Sequence, residues 1–139
     1  MHKLNLACWL LGIQTPQHLE IHPLRGAIFE TLIVAELIKS RLNRGERPGM
    51  CFWRDSNGNK VDVIIEAGEQ LIPVEIKSGK TVARVFFASL DKWKTLAGTR
   101  ALNPILIYGG DDQYRHATTD VMGWRHVGRV ASVLEKTLD

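Results

Sequence analysis

Cysteine is scarce in this chain: only Cys8 and Cys51 occur in 139 residues. They are far apart and make no metal-ligand spacing, which excludes a disulfide framework and a thiolate zinc site. Such usage predicts a reducing, cytoplasmic setting with both thiols buried as small apolar groups. Long apolar runs are also missing. Leu4–Ile13 falls well short of the ~20 residues a transmembrane helix needs. No small-residue cleavage site follows it, so Leu4–Leu11 reads as a short helix and not as a signal, and no membrane association is expected. Repeats, low-complexity tracts and Pro/Gly-rich linkers are absent, so a single domain over residues 1–139 is expected. Excess charge is small as well. Eighteen Lys and Arg against fifteen Asp and Glu leave +3, and a pI near 9.0 suits an anionic partner only where the cations gather on one face.

What is present centres on Val61–Lys77. Two runs rich in β-branched residues, Lys60–Glu66 and Leu71–Lys77, flank Ala67-Gly68-Glu69-Gln70, which predicts a hairpin with a four-residue loop. Closing Glu66 against Leu71 sets Ile64 opposite Pro73, Asp62 opposite Glu75 and Lys60 opposite Lys77. Alternation then places Asp62, Glu75 and Lys77 on one face, and Val61, Val63, Ile65, Ile72, Val74 and Ile76 on the apolar, core-facing side. Opposed Cβ atoms lie only about 5 Å apart, so two carboxylates there require something positive between them. Lys77 and a hard divalent cation are the two candidates.

Around this hairpin the chain predicts a short turn at Gln17–Ile21, then an unbroken helix over Gly26–Leu42 that is apolar nearly all round and so buried. Glu30 lies inside its apolar stripe between Val34 and Leu37, where a carboxylate needs a cation or an ion-pair partner. Met50–Arg54 reads as a strand joined through Asp55-Ser56-Asn57-Gly58-Asn59 to Lys60–Glu66. Ser78-Gly79-Lys80-Thr81 lacks the glycine that a phosphate loop needs five residues before Gly79, which excludes a nucleotide cradle there. Val82–Ala97 has helical spacing, with Phe86, Leu90, Trp93 and Leu96 on one stripe and Gly98 as C-cap. Pro104–Tyr108 follows as a fully covered strand, parallel to Leu71–Lys77 by a right-handed crossover. Near the end, Trp124–Val127 is expected as an edge strand and Ala131–Thr137 as a helix. The predicted class is α/β: three antiparallel strands plus one parallel strand after a crossover helix, flanked by helices.

Glu30, Asp62 and Glu75-Ile76-Lys77, followed by a crossover helix, resemble the PD-(D/E)xK nuclease superfamily and its restriction-endonuclease-like sandwich. More closely, Leu10-Leu11-Gly12-Ile13, His22-Pro23, Gly26-Ala27-Ile28-Phe29-Glu30, Trp53-Arg54-Asp55, Val61-Asp62-Val63 and Pro73-Val74-Glu75-Ile76-Lys77-Ser78-Gly79 resemble the C-terminal domain of bacterial and archaeal AAA-type ATP-binding proteins. That domain is known as domain of unknown function 4143. The resemblance implies that Asp62, Glu75, the Ile76 carbonyl and Glu30 hold Mg²⁺ or Mn²⁺, and that Lys77 orients or deprotonates the attacking water. It also implies an AAA-type ATPase domain elsewhere in a longer protein, of which this chain is a C-terminal part. DNA is the expected substrate, with Arg54, Lys60, Lys80 and Arg84 holding its phosphates. Two further readings stand beside hydrolysis. One is an idle nuclease fold that binds DNA or regulates the ATPase, and the other is a structural ion-pair cluster of Glu30, Asp62, Glu75 and Lys77.

Overall fold

The computed structural model describes residues 15–130. Within it, α1 (Pro16–Ile21) leads into the long helix α2 (Arg25–Asn43), and β1 (Met50–Arg54), β2 (Lys60–Ala67) and β3 (Gln70–Lys77) form a meander. A 3₁₀ turn at Arg84–Phe87 runs into α3 (Ala88–Ala97), and β4 (Ile105–Tyr108), β5 (Gln113–His116), β6 (Thr119–Gly123) and a second 3₁₀ segment at Trp124–Arg129 complete the order. The sheet is mixed, open and six-stranded, in the order β1-β2-β3-β4-β6-β5. β1, β2 and β3 pair antiparallel, β4 runs parallel to both β3 and β6, and β5 returns antiparallel on the far edge. The protein is therefore α/β, with helices on both faces of the sheet. No helix among the described residues is long and apolar enough to cross a membrane.

The two faces carry different layers. Ile33 and Leu37 of α2 pack on Val63, Ile65, Ile72, Val74, Ile76, Ile105, Ile107 and Met122. On the other side Leu90 and Trp93 of α3 cover Val61 and Ile64, while Phe87 covers Leu106, Tyr108 and Val121. β4, buried at all four positions, is the covered central strand that its uninterrupted apolar run predicts.

The β1–β2 turn forms as its residues imply: Asp55 Oδ1 accepts from the Asn57 and Asn59 amides, and Gly58 takes φ +85°. The β2–β3 turn is tighter than expected. Ala67 pairs with Gln70, leaving Gly68-Glu69 as a two-residue loop that Gly68 makes possible at φ +63°. Gly98 caps α3 at φ +60°, its amide donating to the Lys94 carbonyl.

Several expectations require correction. Val61 does not share a face with Val63, because Cys51 pairs with Ile64 while Trp53 pairs with Val61. Asp62 and Val63 thus both lie opposite Phe52, a bulge that reverses the alternation and sends Val61 to the α3 side. α2 is less buried than its composition implies: only Ile28, Ile33 and Leu37 are fully covered. Residues 84–87 wind as 3₁₀ and not as α-helix, so the tighter turn buries Phe87 in place of Phe86, and Leu96, off the Leu90–Trp93 stripe of α3, is 66% exposed. Trp124–Val127 is 3₁₀ and not an edge strand, and the β5–β6 hairpin takes that edge. Cys51 is exposed, since it lies on the outermost strand where α3 does not reach. Leu4–Leu11, Cys8 and Ala131–Thr137 lie outside the described residues.

Candidate functional site at the open end of the β2–β3 hairpin

Counting outward from the turn, Glu66↔Leu71, Ile64↔Pro73 and Val63↔Val74 pair as the alternation requires. Beyond Val63 the ladder stops. The next residue on each strand is a carboxylate, Asp62 and Glu75. Asp62 Oδ2 accepts a 2.8 Å hydrogen bond from the Ile76 amide, so a side chain replaces the backbone acceptor that regular pairing would supply. The bulge is what frees Asp62 for that contact.

Glu75 is 3% exposed, and burial, a hydrogen bond to the Asp62 carboxyl and the Asp62 charge push its carboxyl up to about 9. Without a cation beside it, the buried Glu75 carboxyl is thus biased toward its protonated form, facing Asp62. Glu75 Oε1 is buried and has no hydrogen-bond partner among the described residues. An acceptor in that condition costs about 1–3 kcal/mol.

Glu30 reaches the same place from α2. Its carboxyl is raised by burial and by the charge of Asp62, and lowered by Lys60 and Lys77. The same two lysines lower Glu75. Lys60, which does not pair with Lys77 but sits across from Arg54, approaches Asp62 Oδ1 at 3.5 Å. Lys77 holds its ammonium 5.2 Å from the centroid of the Phe86 ring. Glu30, Asp62, Glu75 and Lys77 therefore act on one another electrostatically although 47 positions separate the first from the last.

Asp62 and Glu30 open onto a cleft of about 480 Å³ between α2 and the β1–β2 edge, lined also by Val34, Ile38, Phe52, Arg54 and Lys60. Arg54 and Lys60 thus border the site, as their position on the first hairpin implies. Lys80 and Arg84 are exposed on the segment that follows Lys77, on the side of the sheet covered by Phe87 and α3.

Two neighbours were not legible from local pattern. Arg25 Nη2 donates to the Ser78 carbonyl at 3.1 Å, fastening the start of α2 to the loop after Lys77. A cation in the first turn of a helix is opposed by the macrodipole, and that is the one sequence signal that it has a partner elsewhere. Gly109 presses on the same loop: a Cβ there would meet the Ser78 carbonyl oxygen at 2.1 Å, so only glycine lets β4 end against Ser78.

As donors for a cation, the constellation offers two hard carboxylates in contact, a third nearby, and the adjacent Ile76 backbone. Among the described residues no group of three or more His, Cys, Asp or Glu side chains is assembled closely enough to hold a metal ion. The donor chemistry still fits a hard cation, because the donors are carboxyl and carbonyl oxygens and the buried Glu75 Oε1 has no hydrogen-bond partner among the described residues.

No curated protein matches the chain. Residues 25–127, which include every member of this constellation, match the model of the family described as a domain of unknown function (DUF4143), and the chain belongs to that family.

Proposed function

We propose that this domain is a Mg²⁺- or Mn²⁺-dependent nuclease of the PD-(D/E)xK type, with a restriction-endonuclease-like fold, hydrolysing phosphodiester bonds in DNA. Its setting is cytoplasmic, beside an AAA-type ATPase domain in a longer protein. The supporting observation is the buried Glu75 carboxyl, set beside Asp62 with its Oε1 lacking a hydrogen-bond partner among the described residues. A carboxyl so costly to bury is economical only where a cation takes the place of its proton.

Asp62, Glu75, the Ile76 carbonyl and Glu30 would hold the ion. When bound, it would offset charge on the phosphoryl oxygens and acidify water near neutral pH. The chain's own groups do the rest. Lys77, on the same strand as Glu75 and two residues on, orients or deprotonates the attacking water. The Ile76 amide fixes Asp62 through its 2.8 Å bond. Arg54 and Lys60, which line the cleft, would bring the polyanion to it through phosphate contacts, and Lys80 and Arg84, outside the cleft on the segment after Lys77, would hold phosphates beyond it.

Calorimetric titration of Mg²⁺ or Mn²⁺ should show saturable binding that disappears in Asp62→Asn. Lys77→Ala should abolish DNA cleavage while DNA affinity falls only modestly, since one ammonium supplies at most one phosphate contact. Cleavage by Lys77→Ala at the parental rate would defeat the hydrolytic assignment.

One observation favours the second reading, a module that binds DNA or regulates the ATPase without turnover: Lys60 already lies 3.5 Å from Asp62 Oδ1. Under that reading the lysine stands in for the metal, and both parent and Lys77→Ala bind DNA without cutting it.

A further inference from the structure

All five residues of β1 line the cleft, and by pairing with β2 Met50, Phe52 and Arg54 lie on the α2 side of the sheet while Cys51 and Trp53 lie on the other. Met50 packs on the core beneath α2. Arg54 is exposed and pairs across the strands with Lys60. Between them Phe52 remains 77% exposed, directly opposite the bulge that carries Asp62. An isolated exposed aromatic needs no explanation. This one lies on an edge strand, where an uncovered apolar side chain is an association hazard. It also flanks a cleft of about 480 Å³ with a carboxylate on one side and two cations on the next rung, within the ~300–1,000 Å³ range of small-ligand pockets.

We infer that this cleft receives an unpaired DNA strand, with one base stacked on Phe52 and the adjoining phosphates on Arg54 and Lys60. This rests on the hydrolytic reading of the neighbouring carboxylates and names the form of DNA presented to them. Phosphate contacts alone would serve a duplex equally well. The face of a base, however, is hidden by its neighbours in a duplex and becomes available to an aromatic ring only when unpaired. Apolar and aromatic surface placed between a cation pair and a hydrolytic site is thus matched to a single strand, a flap or a splayed end.

Binding without cleavage separates this inference from the hydrolytic one. Fluorescence anisotropy in EDTA would compare labelled oligo-dT with a blunt duplex of equal length at fixed salt. The single strand should bind at least about tenfold more tightly. Phe52→Ala should weaken it by about five- to 150-fold, the span of one lost base stack, while leaving duplex binding unchanged. Phe52→Trp should restore single-strand affinity. Because Phe52 is exposed, neither change threatens the fold, and an unchanged melting temperature verifies this. Equal affinity for both forms, an unaltered oligo-dT affinity in Phe52→Ala, or a Phe52-dependent dimer in sedimentation would overturn the inference. Any of these could coexist with metal-dependent cleavage, whereas tight Phe52-dependent binding with no cleavage in Mg²⁺ would instead remove the hydrolytic reading alone.

Discussion

The β2–β3 hairpin behaves as two different structures along its length. At its turn end, Ile65↔Ile72 and Glu66↔Leu71 pair in strict register, and Ile65 and Ile72 are buried beneath α2 at 1% and 2% exposure. At its open end the ladder lapses, a bulge displaces Asp62, and burial beside Asp62 pushes the Glu75 carboxyl up to about 9. The turn end contributes stability through apolar burial. At the open end stability is given up: a buried carboxyl, with one oxygen lacking a partner among the described residues, is kept where Val or Thr would pack without that cost. Under the proposed function, that cost at one end of an otherwise regular element is where the cation would bind.

The comparison can be broken most forcefully at the turn end. Ile65→Ala removes a side chain from a dry, fully packed layer and should cost about 2–5 kcal/mol of unfolding free energy in urea denaturation. A loss below about 1 kcal/mol would mean that the hairpin is not anchored there.

Glu75→Gln should act in the opposite direction, and its effect should depend on pH. The unfolded chain releases the Glu75 proton near its ordinary value of 4.5, whereas the folded chain holds it up to about 9. Between those values the folded state carries the extra proton. The stability that this supplies is fully present below about pH 4.5 and is lost as pH rises toward 9, at no more than about 1.4 kcal/mol per pH unit. Glutamine keeps a neutral donor facing Asp62 without that dependence. Melting curves in EDTA should therefore show the variant gaining on the parent as pH rises from 5 to 8. Added Mg²⁺ should narrow the gap by stabilising only the parent. A variant less stable than the parent across that range would identify Glu75 as part of a structural ion-pair cluster.

The same contrast explains how much could be read from sequence. Period-two alternation is a rule about paired strands, so it placed Ile64, Ile65, Glu66 and their partners correctly. It failed at Val61, because nothing in the residues 61–64 announces an extra residue opposite Phe52. Gln113–His116 carries no apolar face at all, being exposed at every position, so periodicity had no signal there. It is held in place by pairing with β6 and by the stacking of His116 on Phe87 at 4.4 Å. The 3₁₀ turn at Arg84–Phe87 has the composition of the helix it precedes, and only the winding differs. The proximity of Glu30, Asp62, Glu75 and Lys77 could be anticipated because charge within apolar surroundings demands a partner. Arg25, Phe52 and Gly109 could not be, since each matters only for what tertiary structure brings against it.

The smallest expected effect concerns the cations at the two ends. Arg41 and Arg100 serve the turn end, where their side chains donate to the Glu66 and Glu69 carbonyls at 3.0 and 3.2 Å. Lys80 and Arg84 follow the open end, and under the proposed function they meet phosphate. Each phosphate contact releases about one counterion, so the slope of log affinity against log salt counts such contacts. Lys80→Ala with Arg84→Ala should weaken DNA binding evenly across sequences and flatten that slope by up to about two units. Arg100→Ala should leave the slope unchanged, because its guanidinium lies at the opposite end of the hairpin and is already engaged with Glu69. A salt slope that responds equally to both sets of substitutions would mean that DNA does not distinguish the two ends, and the open end would lose its claim to be the binding face.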